Sequence, residues 1–390
     1  MTSKWKIYRI KDVLSYVVDN RGKTPPIQDE GFELLEVNAI SATEKFPQYQ
    51  LVRKHVSEHV YNTWFRSGHP QIGDILVPTV GTLGAVSYVN KDNCCIAQNL
   101  IALRANKDIC DCDYLYYILR NPNTRKRLLN LNIGGVQPSI KVPHLMDLEI
   151  GIPPVEIQKK IISILKVLDD KISINQKTND NLQQQAAAIF ANFYDRAETE
   201  VGFTEIIQIL GGGTPKTGES SYWNGNVPFF TPKDVGSPYT LTTEKTITEE
   251  GLAHCNSRLY PVNTVFVTAR GTVGKVGLPG IPMAMNQSCY ALVGKDTHQL
   301  LVYFYTLKAV DRLKHKASGA VFDAITTRDF ESEIIMKLSD DDTKDFLNVA
   351  EPIYQAVLSN SIENLRLASL RDSLLPKLMT GEIDVSDIQL

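Results

Sequence analysis

A chain of 390 residues exceeds what a single hydrophobic core organises, so two or more domains are expected. Its 43% hydrophobic and 22% charged residues describe an ordinary soluble globular protein. A net charge of −3 argues against nonspecific polyanion binding, though not against a local basic face, and no apolar run approaches the ~18 residues of a membrane span.

The N-terminus, MTSKWKIYRIKDV, has no apolar core of a signal peptide, so a cytoplasmic location is expected. RGKTPP, from Arg21 to Pro26, contains the Gly-Lys-Thr that ends a nucleotide phosphate loop. The upstream glycine of that motif falls on Val17, however, and Pro25 and Pro26 stand where its helix must run. GDILVPTVGTLGAV, from Gly73, reads as a β-branched strand ending in a glycine turn. Cys94, Cys95, Cys110 and Cys112 are not spaced as zinc ligands usually are, and with Cys255 and Cys289 they read as reduced, partly buried thiols with no metal. DYLYYILRNPNTRKRLLNL reads as largely helical, broken near Pro122.

A helical stretch follows. Ile161, Leu165, Leu168, Ile172, Asn175, Asn179, Leu182, Ala186, Ile189 and Phe193 alternate spacings of four and three, the seam of a coiled coil. A second globular stretch then begins, and GGGTPKTGESSYWNG from Gly211 again fails as a phosphate loop, since Lys216 follows Pro215. It shares Gly-x-Thr-Pro with the first copy, Gly212-x-Thr214-Pro215 against Gly22-x-Thr24-Pro25.

The chain is therefore a repeat. Gly81, Thr82, Gly84 and Val86 fall on Gly271, Thr272, Gly274 and Val276, Gln98 falls on Gln287, and GGVQPSI from Gly134 matches SGAVFDAI from Ser318. The seam returns as Phe346, Ala350, Ile353, Val357, Asn360, Asn364, Leu367, Arg371, Leu374 and Leu378. Pro352 is expected to kink this second helix near its start, and Pro376 to end its regular part early. Antiparallel packing of the two helices would set Asn175 at the level of Asn364 and Asn179 at that of Asn360. The paired amides would then cost stability but fix register. A plain pair of core helices with polar faces would show the same spacing. The expected organisation is α+β and pseudo-twofold: a globular unit over 1–150, a long helix over 151–198, a second unit over 199–338, and a second helix with a tail over 339–390.

Catalytic signatures are scarce. The [DNS]-P-P-[YF] run of DNA amine methyltransferases is missing, as are H-E-x-x-H and G-x-S-x-G, and the seven histidines form no cluster. Asp342-Thr343-Lys344 reads as an acidic helix start. The chain reads as a binding or scaffolding protein with no catalytic residues.

GGGTPKT…YWNGNVPFFTPKDV (from Gly211), ARGTVGKVG (from Ala269), IPPVEIQKKI (from Ile152) and LRDSLLPKLMTGEID (from Leu370) stand in that order along the chain. The chain thereby resembles the specificity subunits of type I restriction–modification systems over nearly its whole length. The first copy departs from the pattern, with RGKTPP for the Gly-Gly-Thr-Pro turn and Leu83 and Ala85 where the second has Val273 and Lys275. The resemblance implies a non-catalytic DNA-reading subunit whose two target recognition domains each read half of a split, asymmetric site on double-stranded DNA. It implies helices that space the halves and dock two methyltransferase subunits, which use S-adenosylmethionine and methylate adenine. It also implies translocase–nuclease subunits that use ATP and Mg and cleave DNA. This chain itself would hold no cofactor.

Candidate phosphate contacts are Lys216, Lys233, Arg270 and Lys275 in the second unit, and Arg21, Lys23, Arg53 and Lys54 in the first. Each is as readily a solvated surface charge. Tyr222, Trp223 and Asn224 sit in a polar loop suited to a groove, although Trp223 suits core packing equally well. A competing reading is a coiled-coil scaffold whose ends bind proteins. A fused methyltransferase–specificity enzyme is disfavoured by the missing motifs and the short chain.

Overall fold

The computed structural model describes residues 5–236, 238–316 and 324–388, and among them the sequence duplication recurs sheet by sheet. The matched stretch from Ser318 to Asp323 lies outside the described residues. The chain divides into two units, Met1–Asp170 with Leu367–Leu390, and Lys171–Arg366.

In the first unit, Leu14–Val18, Leu100–Ala105, Ile75–Pro78 and Ser87–Tyr88 form a four-stranded antiparallel sheet in that order. A smaller sheet sets Phe32–Leu35 between antiparallel His55–Val56 and parallel Cys94–Ile96. In the second unit, Ile207–Gly211, Cys289–Gly294, Val265–Thr268 and Val276–Pro279 repeat the larger sheet and add Tyr239–Thr240 at its edge. Trp223–Phe230 lies between antiparallel Lys245–Ile247 and parallel Ala284–Met285, repeating the smaller one. A two-stranded ribbon closes each unit: Lys6–Arg9 with Glu149–Ile152, and Thr199–Gly202 with Ile334–Lys337.

The glycine turns explain themselves by backbone geometry. Gly81 and Gly84 have φ of +89° and +75°, and Gly271 and Gly274 have +84° and +72°. All four occupy the left-handed region that side chains resist, so the spacing of the pair was kept in both copies. The break near Pro122 also has a local cause. Asn121 ends the helix Cys112–Arg120 and caps the helix Pro122–Asn130, its side chain accepting from the Asn123 amide at 2.9 Å, with Pro122 in the first turn where no donor is needed.

The two long helices are Val155–Asp195 and Asp340–Thr380, 41 residues each. Both ends are offset by 185 residues, the offset of the repeated seam. The second helix continues through both prolines, so Pro376 does not end its regular part early as expected. Pro352 lies among the buried Phe346, Ala350, Tyr354 and Val357, whose packing outweighs the ~3 kcal/mol a helical proline costs. Pro376 stands within a turn of the end, where its carbonyl accepts from the Thr380 hydroxyl at 3.0 Å.

Inside the second unit the helices run antiparallel. The Asn175 amide donates to Asn364 Oδ1 at 2.9 Å and Glu363 Oε2 at 2.7 Å, and Lys171 pairs with the same Glu363 at 3.3 Å. Asn360 donates to Asn179 Oδ1 at 2.8 Å, while Asn179 donates to the Val357 carbonyl and the Ser361 hydroxyl. The expected seam drifts at its C-terminal end: Phe190 and Tyr194 are buried, and Ile189 and Phe193 are only half-buried. A helix with 3.6 residues per turn slides about 20° per heptad from a strict 3.5 repeat, which carries the buried stripe one residue on.

Each unit's core takes in stretches of both long helices. In the second, Phe190, Phe346, Ala350 and Tyr354 pack with Phe304 and Tyr305 of the helix Gln299–Lys316. Phe190 stacks on Phe304 at 4.9 Å and Phe304 meets Tyr354 edge-on at 5.7 Å. Burying a side chain of this size contributes roughly 1.5–3 kcal/mol. The first unit is built differently at the corresponding place. Tyr114, Tyr116 and Tyr117 pack with Ile161, Leu165, Leu375 and Leu378, but the seam also holds charges. Arg371 donates to Asp169 at 2.7 Å, with their side chains 10% and 9% exposed, and the Tyr117 hydroxyl donates to the other Asp169 oxygen at 2.6 Å. Burial works against the Arg371 charge, but its bonds to Asp169 and Asp372 outweigh that and raise its pKa above the ordinary arginine value.

Removing one member of such a pair leaves the other buried without a counter-charge. Arg371→Ala is therefore expected to cost about 3 kcal/mol in urea unfolding. Combined with Asp169→Ala, it should cost well under the sum of the two single changes. Additive effects would mean that the two groups do not act as a pair.

Candidate nucleic-acid interface

In the second unit four loops converge through backbone contacts. After the strand Ile207–Gly211 the chain passes so close to residues 285–286 that a Cβ on Gly212 would lie 2.1 Å from the Asn286 carbonyl oxygen. Gly213 is equally confined, its Cβ position being 2.6 Å from the Asn256 amide. Gly212 and Gly213 thus form a close-packed turn, and the Gly213 amide already donates to the Met285 carbonyl at 3.1 Å. Asn286 in turn donates its backbone N–H to the Phe230 carbonyl, and Ala269 donates to Ser288 at 2.8 Å. Thr272 closes the set by donating its hydroxyl to the Pro232 carbonyl at 3.1 Å. The turns 231–234, 269–275 and 286–288 therefore share one cluster with the glycine loop, where Thr214 bonds to Gln287.

Lys233, Arg270 and Gln287 are exposed on this cluster. Among the described residues neither Lys233 nor Arg270 is within ion-pair distance of a carboxylate. Lys216 is exposed on the glycine loop, and its carbonyl accepts from the Trp223 indole at 3.2 Å. Lys275 is exposed at the far end of the 269–275 turn. Tyr222 stacks on His254 at 4.9 Å, and Trp223 is half-buried, edge-on to Phe229 at 5.5 Å beneath Lys245. Packing therefore occupies both rings. The residue left free is Asn224, exposed with φ of +61°, where the register of the strand slips between Trp223 and Val227. An irregularity of this kind re-aims a side chain out of the regular pleat.

The first unit builds the same cluster with other side chains. Ala97 donates to the Leu35 carbonyl, Thr79 donates to the Asn99 carbonyl, and a Cβ on Gly81 would touch Val37 at 3.5 Å. Asn38, Thr82 and Gln98 are its exposed groups. The cations expected to serve here are mostly engaged. Asp19 holds Arg21 bidentately at 2.8 and 2.7 Å and has its own pKa lowered chiefly by that hydrogen bond. Glu36 pairs with Lys54 at 2.7 Å, and Arg53 donates to the Gln50 and Val52 carbonyls. Lys23 is exposed and makes no ion pair among the described residues. Asn38, Thr82 and Gln98 were not among the expected candidates. The match of Gln98 to Gln287 and of Thr82 to Thr272 was the available signal.

Asp111, Cys112 and Asp113 bring one ligand atom each within 4.8 Å of one another. These donors already have structural work, since Asp111 caps the following helix and Asp113 pairs with Lys45 at 2.8 Å. All six cysteines are free thiols, and burial pushes Cys94, Cys95 and Cys289 up to about 12. Among the described residues no helix is long and apolar enough to cross a membrane.

Comparison with known proteins places these features in context. A family model described as the type I restriction modification DNA specificity domain matches residues 2–184 and 199–337. The type I restriction enzyme HindI specificity subunit of Haemophilus influenzae is 24% identical over 80% of this chain and 86% of its own length. The putative type I restriction enzyme MjaX specificity subunit of Methanocaldococcus jannaschii is 21% identical over 98% of this chain and 94% of its own. Among solved structures, the S subunit of a type I restriction–modification system from M. genitalium shares the fold, with a TM-score of 0.56 at 16% identity, covering 97% of this chain and 96% of that one.

The cluster depends on the close approach at Gly212. Gly212→Ala should cost more than about 2 kcal/mol, because its Cβ has only backbone to displace. Gly218→Ala, with nothing within 4 Å, should change stability by less than about 0.5 kcal/mol. Thermal unfolding of the two variants side by side checks the contrast.

Proposed function

The chain belongs to the family of type I restriction–modification DNA specificity domains, and on that premise we propose that it reads a split, asymmetric DNA site, one half with each unit. In this reading it directs adenine methylation and DNA cleavage by partner subunits, two methyltransferases and the translocase–nucleases. S-adenosylmethionine, ATP and Mg belong to those partners, and the two long helices set the spacing between the half-sites.

One observation carries the reading: the same loop cluster recurs in both units with partly different side chains. Lys233 and Arg270 stand where the first unit has Asn38 and the half-buried Val80, while Gln287 and Gln98 are alike. A backbone frame held constant by glycine turns and carbonyl contacts, with a variable polar surface, suits two readers of different sequences. In this reading Lys233 and Arg270 meet phosphates, which position the duplex. Asn224 and Gln287 are amides able to pair with base edges, and Asn38 and Gln98 serve likewise in the first unit. The scaffold alternative, with ends that bind proteins, has no comparable observation in its favour.

Exchanging residues 200–335 for the second unit of another family member should change one half of the methylated sequence in a host carrying the methyltransferase. A change in both halves, or in neither, would overturn the modular reading. Within the cluster, Lys233→Ala and Arg270→Ala should each weaken DNA binding by the assembled methyltransferase about equally for all sequences. Each should also lower the slope of log affinity against log salt by roughly 1. A sequence-dependent loss would instead make the residue a base reader.

A further inference from the structure

Each unit carries a second concavity at the other end of the same glycine turn. In the second unit it is a groove of 690 Å³ between the turn, the helix Gln299–Lys316 and the first long helix. Phe190, Val276 and Leu307 form its floor, and Lys275, Lys308 and Lys314 stand around it. In the first unit a groove of 350 Å³ lies between the turn at Gly84, the helix Pro122–Asn130 and the second long helix. Val86, Leu129 and Leu375 line it, with Arg120, Arg125 and Lys126 as its cations.

The correspondence extends to the atoms. A Cβ on Gly274 would lie 2.6 Å from Lys314 Cε, and one on Gly84 would lie 2.9 Å from Arg125 Cγ. In both copies a cationic side chain crosses the second glycine of the turn. Among the described residues Lys275, Lys308, Lys314, Arg125 and Lys126 lie in no ion pair. Each groove sets three cations around an apolar floor against a single carboxylate, Asp311 in the second unit and Asp372 in the first.

We propose that each groove takes an acidic amphipathic segment of a partner polypeptide, one copy per unit, and that this partner is the methyltransferase subunit. The identity of the partner rests on the function proposed above. The chemistry of the segment rests on the grooves: an apolar floor desolvates apolar side chains, and the free cations select carboxylates beside them. A DNA backbone would use the cations and leave the floor uncovered, since phosphates offer it nothing to bury. The volumes suit a few side chains of an anchoring segment.

The test uses the full chain co-purified with the methyltransferase subunit encoded beside it, with stoichiometry read by light scattering. The wild type should carry two copies. Lys308→Glu with Lys314→Glu should leave one copy, and so should Arg125→Glu with Lys126→Glu. All four changes together should leave none, with the melting temperature held within a few degrees. Replacement by Gln in the same pairs, which adds no negative charge, should weaken binding at least tenfold at the affected groove. Two copies retained in every variant would overturn the proposal. So would unchanged stoichiometry with a tenfold loss of DNA affinity, which would make the grooves DNA contacts. A wild-type chain that binds no methyltransferase would overturn the functional reading itself, a result distinct from either.

Discussion

An amphipathic helix of 41 residues cannot leave its apolar stripe in water, and in this protein two such stripes are buried against each other and against the domains at their ends. The burial is uneven along the seam. Phe190, Phe346 and Tyr354 in one unit, and Ile161, Leu165 and Leu378 in the other, are welded into globular cores. The asparagines between them are held by hydrogen bonds and a flanking lysine–glutamate pair. Apolar contact thus supplies the bulk of the attraction, while the amides restrict which residues face one another. A slip of the helices by one heptad would keep most apolar contacts and lose the amide pairs, because no other asparagine on the seam takes their place.

Much of this architecture was legible in the sequence because burial follows short local periods. The glycine turn had to keep its spacing in both copies, since both glycines of each pair adopt positive φ. The seam kept its fours and threes, and its asparagines fall where an antiparallel pair aligns them, although a parallel pair would align them as well. Features set by distant contacts were not legible. Pro376 reads as a stop, yet it falls within one turn of a helix end that packing already holds. The drift from Phe193 to Tyr194 accumulates over several heptads and shows in no single interval. Arg371 on the seam was visible as an oddity where the first copy has Ala186. Its partner Asp169, however, sits one residue off the expected stripe and so escaped notice.

The loop residues were the least legible, for a related reason. Lysines and arginines can be counted in a sequence, but whether they are free depends on carboxylates elsewhere in the chain. Arg21 and Lys54 are bound to Asp19 and Glu36, while Lys233 has no such partner among the described residues. The turn that carries Arg270 also has two faces. Gly271 approaches Pro232 at the loop cluster, and Gly274 underlies Lys314 at the groove. The same short turn therefore borders the loop cluster at one end and the groove at the other.

The difference between the two helix junctions bears on partner choice. With the helices related by a shift of 185 residues, position 354 of the second corresponds to 169 of the first, and 371 to 186. Two copies of the second helix paired in the observed register would bring Arg371 against Tyr354, leaving it only its neighbour Asp372 as a carboxylate partner. Two copies of the first would bring Asp169 against Ala186. Pairing two first helices buries Asp169 without its counter-charge twice over, at about 3–5 kcal/mol for each, and pairing two second helices costs each Arg371 one of its two carboxylate partners. Only the unlike pairing satisfies both groups. A duplication creates two helices that could each accept a copy of itself, and an arginine–aspartate pair at one junction weighs against that self-recognition.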